Sequence, residues 1–173
     1  MKNTIIFDLD GTLAIIEKRR KLAGSPTGKT PTPSKMNWDV FFDADNIKLD
    51  EPNIPVIKMA QTFHKDGFKI VIFSGRNDRS FHTTKQWLND HDVPFDLLVM
   101  RPDKFKDESW PIASGNPATK AMRFMPDEIL KKEMLNTFVD KDDVLMCVDD
   151  RQKVVDMWRE NGLTCFQVAP GNF

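Results

Sequence analysis

With 173 residues, and 25 Lys plus Arg set against 26 Asp plus Glu, the chain fits one domain with a sizeable core and carries a net charge of -1. That balance excludes a global attraction to nucleic acid or to an anionic membrane, so a polyanionic partner has to be met by a local basic patch. No apolar run approaches the length of a membrane span or of a signal peptide, and Cys147 and Cys165 both lie in apolar runs, as small buried thiols do in a reducing compartment; the expectation is a soluble, cytoplasmic protein without a disulfide.

The first predicted strand runs from Thr4 to Leu9 and leads into Phe7 to Leu13, which reads FDLDGTL. Strand side chains alternate with period two, so Asp8 and Asp10 point into one pocket while Gly11 lets the chain turn sharply away. One carboxylate is then placed to attack an electrophile and its neighbour to move protons. Asp-Gly alone is a common turn dipeptide, and the functional reading depends on what the rest of the chain brings to the same place.

Between Ala14 and Pro55 the rhythm breaks: the segment is charged, then rich in Pro, Thr, Ser and Gly, then reads WDVFFDAD. A connection of about 40 residues far exceeds the usual 2 to 6 of an α/β loop, and the expectation for 14–55 is an inserted cap over an active site. Within it, Gly28-Lys29-Thr30 ends a relaxed Walker A match. A P-loop needs a buried strand before it and a helix after it; here Glu17-Lys18-Arg19-Arg20-Lys21 precedes, and Pro31 and Pro33 obstruct a helix. A nucleotide-kinase reading is therefore rejected. Trp38, Phe41 and Phe42 either build the small core a lid needs or stack on a base, and the core reading is favoured because aromatics dominate burial.

Further strands are predicted at Lys69 to Phe73, Leu97 to Met100, Val144 to Val148 and Cys165 to Val168. The segments between them have helical spacing: Val56, Met59, Ala60 and Phe63 up to Gly67; Phe81, Thr84, Lys85 and Leu88 after an Asp78 cap; Val154, Met157 and Trp158 before Asn161-Gly162. This alternation predicts an α/β fold with a parallel sheet. His64, His82 and His91 have no metal-ligand spacing. Lys104, Lys106, Lys120 and Arg123 could line a path for a strand, but Asp103, Asp107 and Glu108 dilute the patch.

Three strands end in polar groups: Asp8 and Asp10, Ser74-Gly75-Arg76, and Asp149-Asp150-Arg151. Ligands of open parallel sheets bind beyond the carboxyl ends of the strands, so these groups should converge. Four carboxylates in one place repel, by roughly 4 kcal/mol for each pair about 4 Å apart at an effective dielectric near 20. A cation must sit among them, and oxygen ligands without His or Cys, beside a phosphate, suit Mg²⁺. For Asp149 and Asp150 the alternative is that they cap the helix that starts near Gln152.

DLDGT, the apolar run into Ser74-Gly75, a downstream lysine and the Asp149-Asp150 pair resemble the four motifs of haloacid-dehalogenase (HAD) superfamily phosphohydrolases. IVIFSGR, DEILKKEML from Asp127 and the tail from Asp149 resemble more specifically the 3′-phosphatase half of phage-type polynucleotide kinases. The resemblance implies a Rossmann-like HAD fold, a central parallel sheet flanked by helices with a small cap after the first strand, as a single phosphatase domain over 1–173. It implies Asp8 as nucleophile, Asp10 as acid and base, and Lys131 neutralising the transferring phosphoryl group. It places phosphate on Ser74 and Gly75, assigns substrate contacts to Arg76, Arg19 and Asp127, and gives Mg²⁺ to Asp8, the Asp10 carbonyl, Asp149 and Asp150. Arg20 competes with Arg19 for that role, and the KRRK run is alternatively a solvated face; Asp127 is alternatively a charge at a helix start beside Pro126. The implied substrate is a nucleic-acid 3′-phosphate end, with a nucleoside monophosphate as the alternative and a separate kinase or ligase as a possible partner. An inactive phosphate-end-binding module is the remaining reading, which the presence of both a nucleophile and an acid disfavours.

Overall fold

Five runs that look uniformly apolar in the sequence form one parallel sheet in the computed structural model, which describes residues 1–24, 36–102 and 122–171. The strands are β1 (Thr4–Phe7), β4 (Lys69–Asn77), β5 (Leu97–Arg101), β6 (Val144–Arg151) and β7 (Cys165–Gly171), in the order β5-β4-β1-β6-β7. The three central strands, β4, β1 and β6, are covered on both faces, so both alternating sets of side chains there must be apolar, whereas the edge strand β7 leaves Phe166 half exposed. Ile5, Phe7, Ile70, Ile72, Met146 and Val148 belong to one core, with residues of α4 (Ile54–Lys65) and α5 (Phe81–Asp90). Ile6, Val71, Phe73 and Cys147 belong to the other, with residues of α6 (Asp127–Phe138) and α7 (Gln152–Glu160).

The chain leaves β1 for one side of the sheet, builds β4 and β5 outwards, then returns through α6 to place β6 on the other side of β1. That reversal puts a crevice at the carboxyl end of the central strand. The ladders carry register shifts between Ser74 and Asn77 and between Asp149 and Arg151, where bulging re-aims the side chains that the strands deliver to the crevice.

The described part of segment 14–55 holds α1 (Glu17–Ala23), α2 (Trp38–Phe41) and α3 (Ala44–Ile47), closed by the antiparallel pair β2 (Ala14–Ile15) and β3 (Glu51–Pro52). Asn53 fastens its return: the side-chain amide donates to the Thr12 carbonyl at 2.8 Å and the N–H to the Leu13 carbonyl at 2.9 Å. The Gly28-Lys29-Thr30 match, Pro31 and Pro33, and the patch of Lys104, Lys106, Lys120 and the Arg123 side chain lie outside the described residues.

One local expectation is corrected, and one alternative is set aside. Asp78 opens a 3₁₀ turn, Asp78–Ser80, rather than capping α5, and the side chain that caps this turn is Asn77, which accepts from the Arg79 N–H at 3.0 Å. Neither Asp149 nor Asp150 caps α7, whose N-cap is Arg151 with no side-chain cap bond. Cys147 and Cys165 are register partners on neighbouring strands, and both are buried and free. Burial pushes the Cys165 thiol up to about 12, which leaves it unreactive at neutral pH. Among the described residues no helix is long and apolar enough to cross a membrane.

Candidate active site

At the end of β1 the chain turns on Gly11, whose φ of +88° is open to glycine. A Cβ there would lie 2.3 Å from Asp150 Oδ2, so the turn also requires the absence of a side chain. The Asp8 N–H donates to the Val148 carbonyl at 2.9 Å, which ties the end of β1 to β6. Lys131 reaches across from α6 and donates to Asp8 Oδ1 at 2.6 Å and to Asp149 Oδ2 at 2.8 Å. Thr12 Oγ1 donates to Asp8 Oδ2 at 2.9 Å. Asp149 is held further by Trp158 Nε1 at 3.2 Å and by the N–H groups of Asp150 and Arg151 at 3.0 and 3.3 Å. Asp8, Lys131, Asp149 and Asp150 are all buried.

Burial works against the Lys131 ammonium, but the carboxylates of Asp149 and Asp8 outweigh it and hold the lysine charged. One ammonium cannot balance three carboxylates. Burial, then the Asp149 charge, push Asp150 up to about 6, and burial likewise raises Asp8 well above the ordinary carboxylate range. The ligand atoms of Asp8, Asp149 and Asp150 lie within 4.8 Å of one another. An all-oxygen, carboxylate-rich and charge-deficient donor set fits a hard dication such as Mg²⁺.

Asp10 faces a different environment. Arg19 donates to its Oδ1 at 2.5 Å and Arg76 at 2.8 Å, and both arginines also bond to Asp50, Arg19 at 3.0 Å through each of two nitrogens and Arg76 at 2.6 Å. Burial opposes ionisation of Asp10, but the two guanidinium groups prevail and hold its carboxyl at about 2. Arg19 and Arg76 are 0% exposed. Their donors are divided among Asp10, Asp50, the Phe41 carbonyl and Thr84 Oγ1, and neither side chain lines the cavity described below. Arg20 lies apart, paired with Glu17 at 3.3 Å. Arg19 also donates to the Phe41 carbonyl at 2.9 Å and lies 4.2 Å from the centroid of the Phe41 ring, which links Asp10 to α2 of segment 14–55.

A cavity of about 600 Å³ opens over these groups, lined by Asp8, Asp10, Gly75, Lys131, Asp149 and Asp150 among others. Asp127 lines it too, with its carboxylate gripped by Arg101 on one side and Arg151 on the other. A Cβ on Gly75 would lie 2.9 Å from Asp127 Oδ1, so glycine is what lets Asp127 sit over the end of β4. Ser74 is fully buried, its hydroxyl accepts from the Arg76 N–H at 3.1 Å, and it is not among the residues that line the cavity.

Sequence reasoning missed Asp50, Arg101 and the role of Arg151. Arg101 carried a signal, since it ends an apolar strand as Ser74 does. Arg151 follows the Asp149-Asp150 pair directly. Asp50 had none, because an acidic residue in LDEP resembles any loop residue.

A family described as the polynucleotide kinase PNKP phosphatase domain matches residues 30–173. Among solved structures, a chain of the Pnkp1/Rnl/Hen1 RNA repair complex aligns with 98% of this chain at 29% identity and a TM-score of 0.69. A second structure of the Pnkp1/Rnl/Hen1 complex aligns with 99% at 28% identity and a TM-score of 0.68. This chain spans 43% and 47% of those two chains, less than half of each. A predicted phosphatase from Clostridium acetobutylicum aligns with 96% of this chain and 84% of its own at 16% identity and a TM-score of 0.61, which shows the shared HAD-like fold.

Proposed function

From the premise that this chain belongs to the family of polynucleotide kinase PNKP phosphatase domains, we propose that it is a Mg²⁺-dependent phosphomonoesterase that removes 3′-phosphate from polynucleotide ends. The observation that carries the chemistry is the juxtaposition of Asp8, bonded to Lys131 beside Asp149 and Asp150, with Asp10 lining the same cavity on its arginine pair. Asp8 attacks phosphorus through a carboxylate oxygen, the bond to the leaving 3′-oxygen breaks, and the phosphoryl group rests on Asp8 until water displaces it. Lys131 neutralises charge on the transferring group. Asp10 serves as the base that takes a proton from that water, which suits a carboxylate held ionised by Arg19 and Arg76. Its earlier service as acid to the leaving alkoxide requires the charge of the arriving phosphate to offset those arginines.

Mg²⁺ would be held by Asp8, Asp149 and Asp150, with the Asp10 backbone carbonyl completing the protein's share. When bound it masks repulsion between Asp8 and the phosphate dianion. Gly75 would offer its N–H to phosphate, and Arg101, Asp127 and Arg151 would border the substrate. The insert would act as a lid, since Asn37, Trp38 and Phe42 line the cavity. The polynucleotide end is supported by the family match, and a place beside a separate kinase or ligase by the neighbour's occurrence in an RNA repair complex.

A free nucleoside monophosphate is the second reading, favoured by the wall that the insert adds to the cavity and by the absence of excess positive charge. Phosphate release with Mg²⁺ from a 3′-phosphorylated oligonucleotide, a 3′-mononucleotide and 5′-deoxynucleoside monophosphates, each beside Asp8→Asn, decides between them. Preference for the oligonucleotide, lost in Asp8→Asn, is the expected result. Preference for a monophosphate would transfer the assignment to nucleotide-pool chemistry.

A further inference from the structure

The cavity lining is of two chemical kinds. Part of it is the carboxylates and Lys131 that the proposed phosphatase chemistry uses. Part of it is aromatic: Trp38 lines the cavity from the first turn of α2, and Phe124 lines it from the 3₁₀ turn Met122–Phe124 that precedes α6. The expectation that the aromatics of the insert form its core holds for Phe41, which is 4% exposed, but not for Trp38, which is 45% exposed. The indole of Trp38 is thus half open on the wall of the cavity, while its helix neighbour Phe41 is packed beneath.

The indole is also held in place. Asn37 caps α2 by accepting from the Asp39 and Val40 N–H groups at 3.1 and 3.2 Å. The Trp38 ring is stacked on Phe42, with centroids 5.8 Å apart and planes 19° apart, and meets Phe41 edge-on at 5.6 Å. Arg19 fixes the far end of α2 through the Phe41 carbonyl and ring while it grips Asp10. The same guanidinium therefore sets the place of the aromatic platform and of the acid, so a flat group on the platform has a fixed relation to the reacting phosphate.

We propose that Trp38, with Phe124 as a second aromatic wall, forms a subsite that stacks the nucleobase of the nucleotide whose phosphate is removed. The inference rests on the phosphatase reading above and deepens it. A cavity of about 600 Å³ is within the range that holds a drug-sized ligand, so phosphate, sugar and base fit together. Stacking tolerates all bases because each has a π-face, so the subsite recognises a nucleoside without reading its sequence. The nucleoside is the end of a strand or a free nucleotide; both bring the same chemistry.

The test is a cycle of enzyme and substrate changes. Wild type, Trp38→Ala and Trp38→Phe are assayed with Mg²⁺ on an oligonucleotide whose 3′-phosphorylated end carries a base, and on the same strand with an abasic 3′-phosphorylated residue. A nucleoside 3′-monophosphate, the matching base-free sugar phosphate and p-nitrophenyl phosphate complete the set. Removing the base is expected to lower kcat/KM of the wild type by about five- to 150-fold, the span that corresponds to one base stacked on an aromatic side chain. In Trp38→Ala the same removal is expected to cost less than about twofold, and Trp38→Phe to restore most of the difference, because the interaction is with a ring face. Equal factors in wild type and Trp38→Ala, or no loss in the wild type, would overturn the subsite. A base effect confined to the free nucleotide would keep the subsite and sink the polynucleotide reading. Hydrolysis of p-nitrophenyl phosphate alone would sink both.

Discussion

Asp50 belongs to no motif, yet it shares two buried arginines with Asp10 and thereby sets how strongly they hold the acid. Two guanidinium groups and two carboxylates balance one another, and removing one member leaves an uncompensated buried charge, which costs about 3–5 kcal/mol. In Asp50→Asn the full field of both arginines falls on Asp10, so the carboxylate becomes a poorer base and a still weaker acid. The expected outcome is a lower denaturation midpoint together with a kcat reduced by roughly tenfold or more, a part of the 10²–10⁴ that acid–base catalysis supplies. An alkyl phosphate should lose more than p-nitrophenyl phosphate, whose leaving group needs no proton. Equal losses on the two substrates would show that Asp50 supports the fold alone. The sequence made Asp8, Asp10, Asp149 and Asp150 legible because they follow apolar runs at strand spacing. It hid Asp50 because pairing with Arg19 and Arg76 depends on tertiary contacts 31 and 26 residues apart.

At the scale of elements, the five sheet strands and helices α4, α5 and α7 were legible because burial imposes either an apolar run or a stripe of period 3.6. The strands β2 and β3 were not, since two residues each carry no period. The cap expected at Asp78 for α5 was not found, because a 3₁₀ turn precedes that helix: α5 starts after Ser80 without a side-chain cap bond, and the capping side chain, Asn77, serves the turn. The turn after β1 was legible through Gly11, but its second constraint, contact with Asp150, was not. Gly11→Ala must accept a positive φ, which costs an L-residue roughly 1–2 kcal/mol, and must also push Asp150 Oδ2 from 2.3 Å. Because Asp150 is a proposed metal ligand, the variant is expected to need several-fold more Mg²⁺ for half-maximal activity in addition to losing stability. Unchanged Mg²⁺ dependence with lowered stability would mean that the turn and the carboxylate cluster are independent.

For the whole molecule, a net charge of -1 conceals a strong local imbalance, because three buried carboxylates share one ammonium. Asp150 and Asp8 have raised folded pKa values, mainly from burial, so the proton-bound forms are favoured by folding. Such groups add stability at pH below their unfolded values and lose it as pH rises through the folded ones, for Asp150 from the ordinary carboxylate range to about 6. Asp10 has the opposite sign: depressed to about 2, it adds stability above the ordinary range and does not change across that window. A dication binding among Asp8, Asp149 and Asp150 competes with those protons and relieves the repulsion that appears once they are lost. Added Mg²⁺ should therefore raise Tm, by about 5–10 °C at a concentration one hundred times its dissociation constant near neutral pH, from roughly 2.7 kcal/mol of linkage and about 2–4 °C per kcal/mol for a chain of this size. At about pH 5, where the cluster keeps protons, the same Mg²⁺ should give less than about half that shift. Asp150→Asn should flatten the difference between the two pH values. Thermal unfolding with and without MgCl₂ checks all three statements, and an equal shift at both pH values would remove the cluster from the list of metal ligands.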